Sequence, residues 1–145
     1  MHLTTHTDYA LRLLIYLQAR PKEPASVREV AEAYGISAHH LAKVAQSLSA
    51  LGWIDSRRGR GGGLTLAKDT PELGLGQVVR ALEPDAMVEC HGDHSTCPIE
   101  PACKLKGVLY EAREAFYAAL DDYTLADLAK QPRKLTRLLI SAGAR

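Results

Sequence analysis

The stretch from Ser26 to Leu66 restricts the fold more than any other part of the chain. Ser26 with Glu29 three residues later reads as a capping box opening a helix. Val27, Val30, Ala31 and Ala33 supply its inward face, and Gly35 stands where a left-handed residue ends such a helix. Ser37 caps the next helix, which runs to about Leu51 with Leu41, Val44, Ala45 and Leu48 at helical spacing. The period then changes. Trp53-Ile54 and Leu64-Thr65-Leu66 are short strand patterns on either side of SRRGRGGG, residues 56–63. Two capped helices on a glycine turn, followed by a hairpin, are the winged form of the helix-turn-helix. The expected fold class is mainly α with a small β-hairpin wing.

The remaining pattern adds helices around that module. The first runs from about Asp8 to Ala19 and is apolar almost all round, so it is expected to be buried on most sides. Further helices are expected over Gly76–Leu82, Lys104–Leu120, from Thr124, and over Lys134–Ile140. Leu105, Leu109, Ala112, Phe116 and Ala119 form one stripe on the longest of them. Residues 83–103 break the pattern with five acids and three prolines, and read as a loop that needs a bound group to order it. The chain therefore divides into a DNA-binding segment (1–84), a cysteine loop (85–103), and a dimerisation helix with C-terminal helices (104–145).

Composition narrows the function classes. Hydrophobic residues make up 46% and charged residues 24% of 145 residues, with a net charge of +1. No apolar run reaches the ~18 residues of a membrane span. MHLTTHTDYALRLL carries Asp8 and Arg12 and reads as a first helix rather than a signal peptide. Residues 1–70 hold nine Lys/Arg against six Asp/Glu, so any DNA-binding patch is small and local.

That patch is readable. Ser37, His39, His40 and Lys43 begin the second helix of the pair on the face away from Leu41 and Val44, where base edges and phosphates are reached. Arg57, Arg58 and Arg60 sit on the wing with four glycines, which allow close approach to the DNA backbone. A phosphate-cradling loop is the weaker reading, because RGRGGG lacks a Walker ending and precedes a strand. A merely solvated hairpin is a further alternative.

All three cysteines fall within Cys90-x6-Cys97-x5-Cys103. An odd count in so short a span does not make a secreted disulfide framework, and it places the chain in the cytoplasm. The spacing suits three corners of an iron–sulfur cluster. Zinc with His91 or His94 as fourth ligand, redox thiols, and no shared role are the other readings. No HExxH, nucleophile elbow or carboxylate dyad supports an enzyme.

Taken together, LTTHTDYALRLLIYL (3–17), YGISAHHLAKV (34–44), LGWIDSRRGRGGGLTLAKD (51–69), VVRALEP (78–84), VECHGDHSTCPIEPACKLKGVL (88–109) and LDDYTLADL (120–128) resemble the Rrf-type bacterial winged-helix regulators. Within that family they are most similar to its nitric-oxide-sensing iron–sulfur repressors. The resemblance implies a homodimer, paired through the helix after the third cysteine, that binds double-stranded DNA at a palindromic operator. It implies Cys90, Cys97 and Cys103 as ligands of an iron–sulfur cluster, [4Fe–4S] favoured over [2Fe–2S]. It also implies Arg58 as the wing arginine. One branch of the family has a histidine three residues after the third cysteine, where this chain has Lys106, so the fourth ligand must come from elsewhere. Other outcomes are a regulator sensing iron–sulfur or redox status, or a cluster carrier, which would need no wing.

For the fourth ligand, Asp8 stands out on an otherwise apolar helix. A carboxylate there is costly to bury unless paired or bound to metal. Asp8 is expected to cap an iron, with Arg12 one turn on orienting it; a simple Asp8–Arg12 ion pair is the alternative.

Overall fold

The computed structural model describes residues 2–84 and 86–143. Asp85, where the cysteine segment is expected to begin, lies outside the described residues, as do Met1, Ala144 and Arg145. The elements are α1 (Thr5–Ala19), α2 (Val27–Tyr34), α3 (Ala38–Ala50), β1 (Ile54–Arg57), β2 (Gly63–Leu66), α4 (Leu75–Leu82), α5 (Lys104–Asp121), α6 (Leu125–Leu128) and α7 (Pro132–Gly143). They form two compact units, residues 1–73 with 124–145, and residues 74–123. The units cut the chain at other points than the segments expected from sequence. Helix α4 packs with α5, while α6 and α7 return to the first unit and pack on α1 and α2.

In the first unit α1 begins one turn earlier than expected. Thr4 caps it, its Oγ1 accepting the Thr7 N–H at 3.2 Å. Ala10, Leu13, Leu14, Tyr16 and Leu17 of α1 are buried and meet α3, α6, α7 and β2. Val30 of α2 and Leu41, Val44 and Leu48 of α3 complete that core, each fully buried large side chain contributing roughly 1.5–3 kcal/mol. The end of α1 is tied to α2 by polar contacts. Tyr16 Oη donates to Glu29 Oε1 at 2.8 Å, and Arg20 Nη1 donates to the same oxygen at 2.7 Å. Burial, followed by the hydrogen bond to Glu29, pushes the Tyr16 hydroxyl up to about 12. Only the serine half of the expected capping box is prominent. The Glu29 N–H donates to Ser26 Oγ at 3.1 Å, while the Glu29 carboxylate is taken up mainly by Tyr16 and Arg20.

The hairpin is antiparallel, with Ile54 opposite Leu66 and Arg57 opposite Gly63. Ala25 joins it just before α2, exchanging backbone hydrogen bonds of 3.0 and 2.8 Å with Leu64. Inward-facing Ile54 and Leu64 are buried, and Thr70 Oγ1 donates to the Trp53 carbonyl at 2.7 Å.

The second unit packs α4 on α5. Val78 and Val79 of α4 and Tyr117 of α5 are buried. Arg80 forks onto Asp121, Nη1 to Oδ1 at 3.0 Å and Nη2 to Oδ2 at 2.8 Å, and its guanidinium lies 4.5 Å from the Tyr117 ring centre. Gly76 permits this approach, because a Cβ there would meet the Asp121 carboxylate and stand 2.7 Å from the Tyr117 carbonyl oxygen. Replacing Gly76 with Ala should therefore destabilise this unit by about 1–3 kcal/mol through overpacking. Thermal unfolding would show it as a lowered midpoint, and an unchanged midpoint would contradict the close packing.

Helix α6 opens with a full capping box. Asp127 Oδ2 accepts the Thr124 N–H at 2.8 Å, and Thr124 Oγ1 accepts the Asp127 N–H at 3.3 Å. Lys130, 2.8 Å from the carboxylate, and then the Thr124 N–H hold Asp127 down at about 2. A depressed carboxylate stabilises the fold above its unfolded value and loses that contribution as pH falls through its folded value. Asp127→Asn should therefore lower stability near neutral pH, and the gap to the parent should close between about pH 4 and pH 2 in denaturant titrations.

Candidate nucleic-acid interface and cysteine site

Helices α2 and α3 are joined by a tight turn whose geometry follows from Gly35. Its φ of 63° is left-handed, and its N–H bonds back to the carbonyls of Ala31 and Glu32. Ile36 N–H closes on the Ala31 carbonyl at 3.0 Å. Ser37 then caps α3, its Oγ accepting the His40 N–H at 3.3 Å. Leu41, Val44, Ala45 and Leu48 bury the inner face of α3, which leaves Ser37, His39, His40 and Lys43 exposed together on the outer face near its start.

The wing presents Arg57, Arg58 and Arg60, all exposed. Arg57 ends β1, while Arg58 and Arg60 lie in the tip between the strands. The tip is tight because a side chain at Gly62 would collide with the Arg57 backbone, its carbonyl carbon 2.9 Å away. Every DNA-contacting residue expected from the sequence is thus exposed on the first unit.

Sequence reasoning missed the contribution of α1 to this face. Thr5, His6 and Tyr9 line a groove of roughly 280 Å³ with His40, Lys43 and Val44 of α3. No local pattern signals it, since the groove exists only once α1 packs across α3.

Asp8 also belongs to the first unit, and Arg12 holds it with two hydrogen bonds. Arg12 Nε donates to Oδ1 at 3.1 Å and Nη2 lies 2.9 Å from Oδ2. The Asp8 side chain is 45% exposed, so burial does not drive this pairing; the i, i+4 geometry does. The Arg12 guanidinium also stands 5.8 Å from the Tyr34 ring centre.

The cysteines occupy the second unit. Cys90 sits in a 3-10 turn (Glu89–His91), Cys97 in the intervening loop, and Cys103 directly before α5. All three are free thiols and half-buried. The loop is ordered by its own polar groups. Glu89 Oε1 accepts the Thr96 N–H at 2.6 Å and its hydroxyl at 2.8 Å, which hold the Glu89 carboxyl below its ordinary range. Lys106 Nζ bonds Glu100 at 2.5 Å, and this pairing raises the lysine and lowers the carboxyl.

Among the described residues, no three His, Cys, Asp or Glu side chains converge on a single ion position. A polynuclear cluster does not need that convergence, because each thiolate binds a separate iron. The donor set fits such a group in two respects. It offers three unpaired thiols on one short loop. It also offers an orphaned nitrogen. His91 Nε2 lies 2.9 Å from the Lys106 carbonyl oxygen, which can only accept, so Nε2 carries the proton. His91 Nδ1 is buried and without a hydrogen-bond partner.

On α5 the expected apolar stripe divides. Leu109 and Phe116 are partly covered, whereas Leu105, Val108, Ala112, Ala115 and Ala119 are exposed at alternating spacings of three and four. Among the described residues, no helix is long and apolar enough to cross a membrane.

Paired helices on a glycine turn with a basic hairpin define a winged-helix DNA-binding transcription regulator. The chain belongs to the Rrf2 family, described as "Iron-dependent Transcriptional regulator", whose model matches residues 3–131. It is 46% identical over 142 residues to the HTH-type transcriptional regulator NsrR of Bacillus subtilis, covering 96% of this chain and 97% of that protein. The NsrR of Halalkalibacterium halodurans matches equally, at 46% identity with the same coverage. Among solved structures, CymR, the global cysteine regulator of B. subtilis, superposes with a TM-score of 0.70 at 29% identity, covering 89% of this chain and 96% of CymR. IscR of T. potens superposes with a TM-score of 0.69 at 25% identity, covering 93% of this chain and 90% of IscR.

Proposed function

We propose that this chain is a cytoplasmic, homodimeric repressor whose grip on a palindromic operator is set by an iron–sulfur cluster, [4Fe–4S] rather than [2Fe–2S], that reacts with nitric oxide. One observation carries the reading: three free, half-buried thiols lie on a single loop that runs straight into α5, in a chain whose other unit is a winged helix. Similarity to the NsrR proteins and to IscR supports it.

In this reading α3 enters the major groove with Ser37, His39, His40 and Lys43, while Arg57, Arg58 and Arg60 follow the wing to phosphates and the minor groove. The exposed α5 face, Leu105, Val108, Ala112, Ala115 and Ala119, has the spacing of a helix-pairing seam, and its occupant is the same helix of a second copy. Cys90, Cys97 and Cys103 would hold the cluster, which would supply iron centres open to nitric oxide. Asp8, from this chain or its partner, would be the oxygen ligand that completes the set, with Arg12 orienting its carboxylate. An oxygen donor binds such iron less firmly than thiolate, which suits a gas sensor. If the thiols were released, the loop would lose the tie between its three cysteines and keep only its own polar contacts, and the change would reach the dimer through α5. Half-sites one helical turn apart tolerate little change in the spacing of the two α3 helices.

Two experiments test this, both using duplexes selected from random sequence by the cluster-loaded protein. Replacing Arg58 and Arg60 together with Ala should weaken binding by about 1–3 kcal/mol for each arginine that reads a groove, or lower the salt slope by about one for each that neutralises a phosphate. Unaltered affinity removes the wing from the interface.

The second is anaerobic purification with absorbance spectra and nitric-oxide titration. Wild-type protein should be coloured, bind its duplex, and release it on nitric-oxide addition. Cys97→Ala should be colourless and bind weakly. Asp8→Ala should keep the cluster but change its resonance Raman spectrum and its nitric-oxide reaction rate. Tight binding by colourless Cys97→Ala protein would refute cluster control, and Asp8→Ala spectra and rates identical to wild type would leave Asp8 as an ion-pair partner only.

A further inference from the structure

Lys106 gathers the separated parts of the cysteine loop. Its backbone carbonyl oxygen accepts a hydrogen bond from His91 Nε2 at 2.9 Å, next to Cys90. Its ammonium donates to Glu100 Oε1 at 2.5 Å, three residues before Cys103. Lys106 itself lies in the first turn of α5. One residue therefore docks both 3-10 turns of the loop, Glu89–His91 and Glu100–Ala102, onto the start of the long helix.

The surroundings strengthen each link. The His91 ring packs edge-on against Tyr110 one turn further along α5, with ring centres 6.3 Å apart, and the Arg113 guanidinium stands 5.0 Å from the Tyr110 ring centre. The residues between the two turns have little apolar surface to bury, and Ile99, the one large aliphatic there, is exposed. Without the Lys106 side chain the first turn still meets α5 through the His91 bond to the residue-106 carbonyl and the His91–Tyr110 contact, whereas Glu100, beside Cys103, loses its tie to α5.

We propose that Lys106 is the positioning residue of the cysteine site: a clamp that, through its backbone carbonyl and its ammonium, holds the turns beside Cys90 and Cys103 against the start of α5 before any cluster arrives. A lone exposed ion pair is worth little. This one matters because it and the His91 bond close the same loop from two sides. The clamp is independent of the proposed function.

Hydrogen exchange of the metal-free full-length protein reads the clamp directly. Amides of residues 86–103 should exchange about three- to five-fold faster in Lys106→Gln and in Glu100→Gln than in wild type. Lys106→Arg, which keeps the charge and the donor, should restore slow exchange. Wild-type exchange in Lys106→Gln, or fast exchange in the Arg variant as well, overturns the clamp. If wild-type protein takes up no cluster, the proposed function fails, while the exchange experiment still decides the clamp.

Discussion

The first unit depends on covering α1. That helix is apolar around most of its circumference, so no single neighbour can hide it from water. Helix α3 takes one side, α6 and α7 take others, and β2 closes a further one. This explains why the chain returns after the cysteine unit. Leu125 of α6 is fully buried, although it is distant in sequence from α1. Packing α3 against α1 also decides the orientation of α3. Its Leu41–Val44–Leu48 stripe must face inward, and His39, His40 and Lys43 are left outside as a consequence.

The second unit is organised by a close helix pair and a poorly buried loop. Gly76 lets α4 approach α5, and the Arg80–Asp121 fork with the Tyr117 ring fixes the register. The cysteine loop gains no comparable burial. Charged hydrogen bonds hold it instead, from Glu89 to Thr96 and from Lys106 to Glu100. A segment ordered by polar contacts at the surface lies at the low end of local stability. Such a segment is well suited to changing its state when a bound group comes or goes.

Much of the DNA-binding architecture was legible because its signals are local. Ser26, Gly35 and Ser37 act through backbone geometry within one turn of themselves, and the period change at Trp53 needs no distant partner. The cysteine grouping was equally plain. Asp8 stands at the polar start of α1, and the residues that follow it are mostly apolar; its own position leaves it close to half exposed and paired with Arg12, the alternative that the i, i+4 spacing offers. The α5 stripe expected from sequence shares Leu105, Ala112 and Ala119 with the exposed face but takes the partly covered Leu109 and Phe116 in place of Val108 and Ala115, because apolar residues lie on both faces of that helix and only packing distinguishes them.

The amino-acid order alone determined the two capped helices, the hairpin with its three arginines, and the confinement of every thiol to one loop. These features follow from hydrogen bonds and dihedral preferences that act within a few residues. Tertiary packing decided the rest. It placed α6 and α7 on α1 and α2, and it brought Thr5, His6 and Tyr9 beside His40 and Lys43. It also joined His91 and Glu100 through Lys106. Each of these contacts links positions far apart in sequence or on separate elements. For the helix contacts the cost in chain entropy is met only when a whole apolar face is buried at once, and for the cysteine loop only when its polar groups meet α5; no local window of sequence records either.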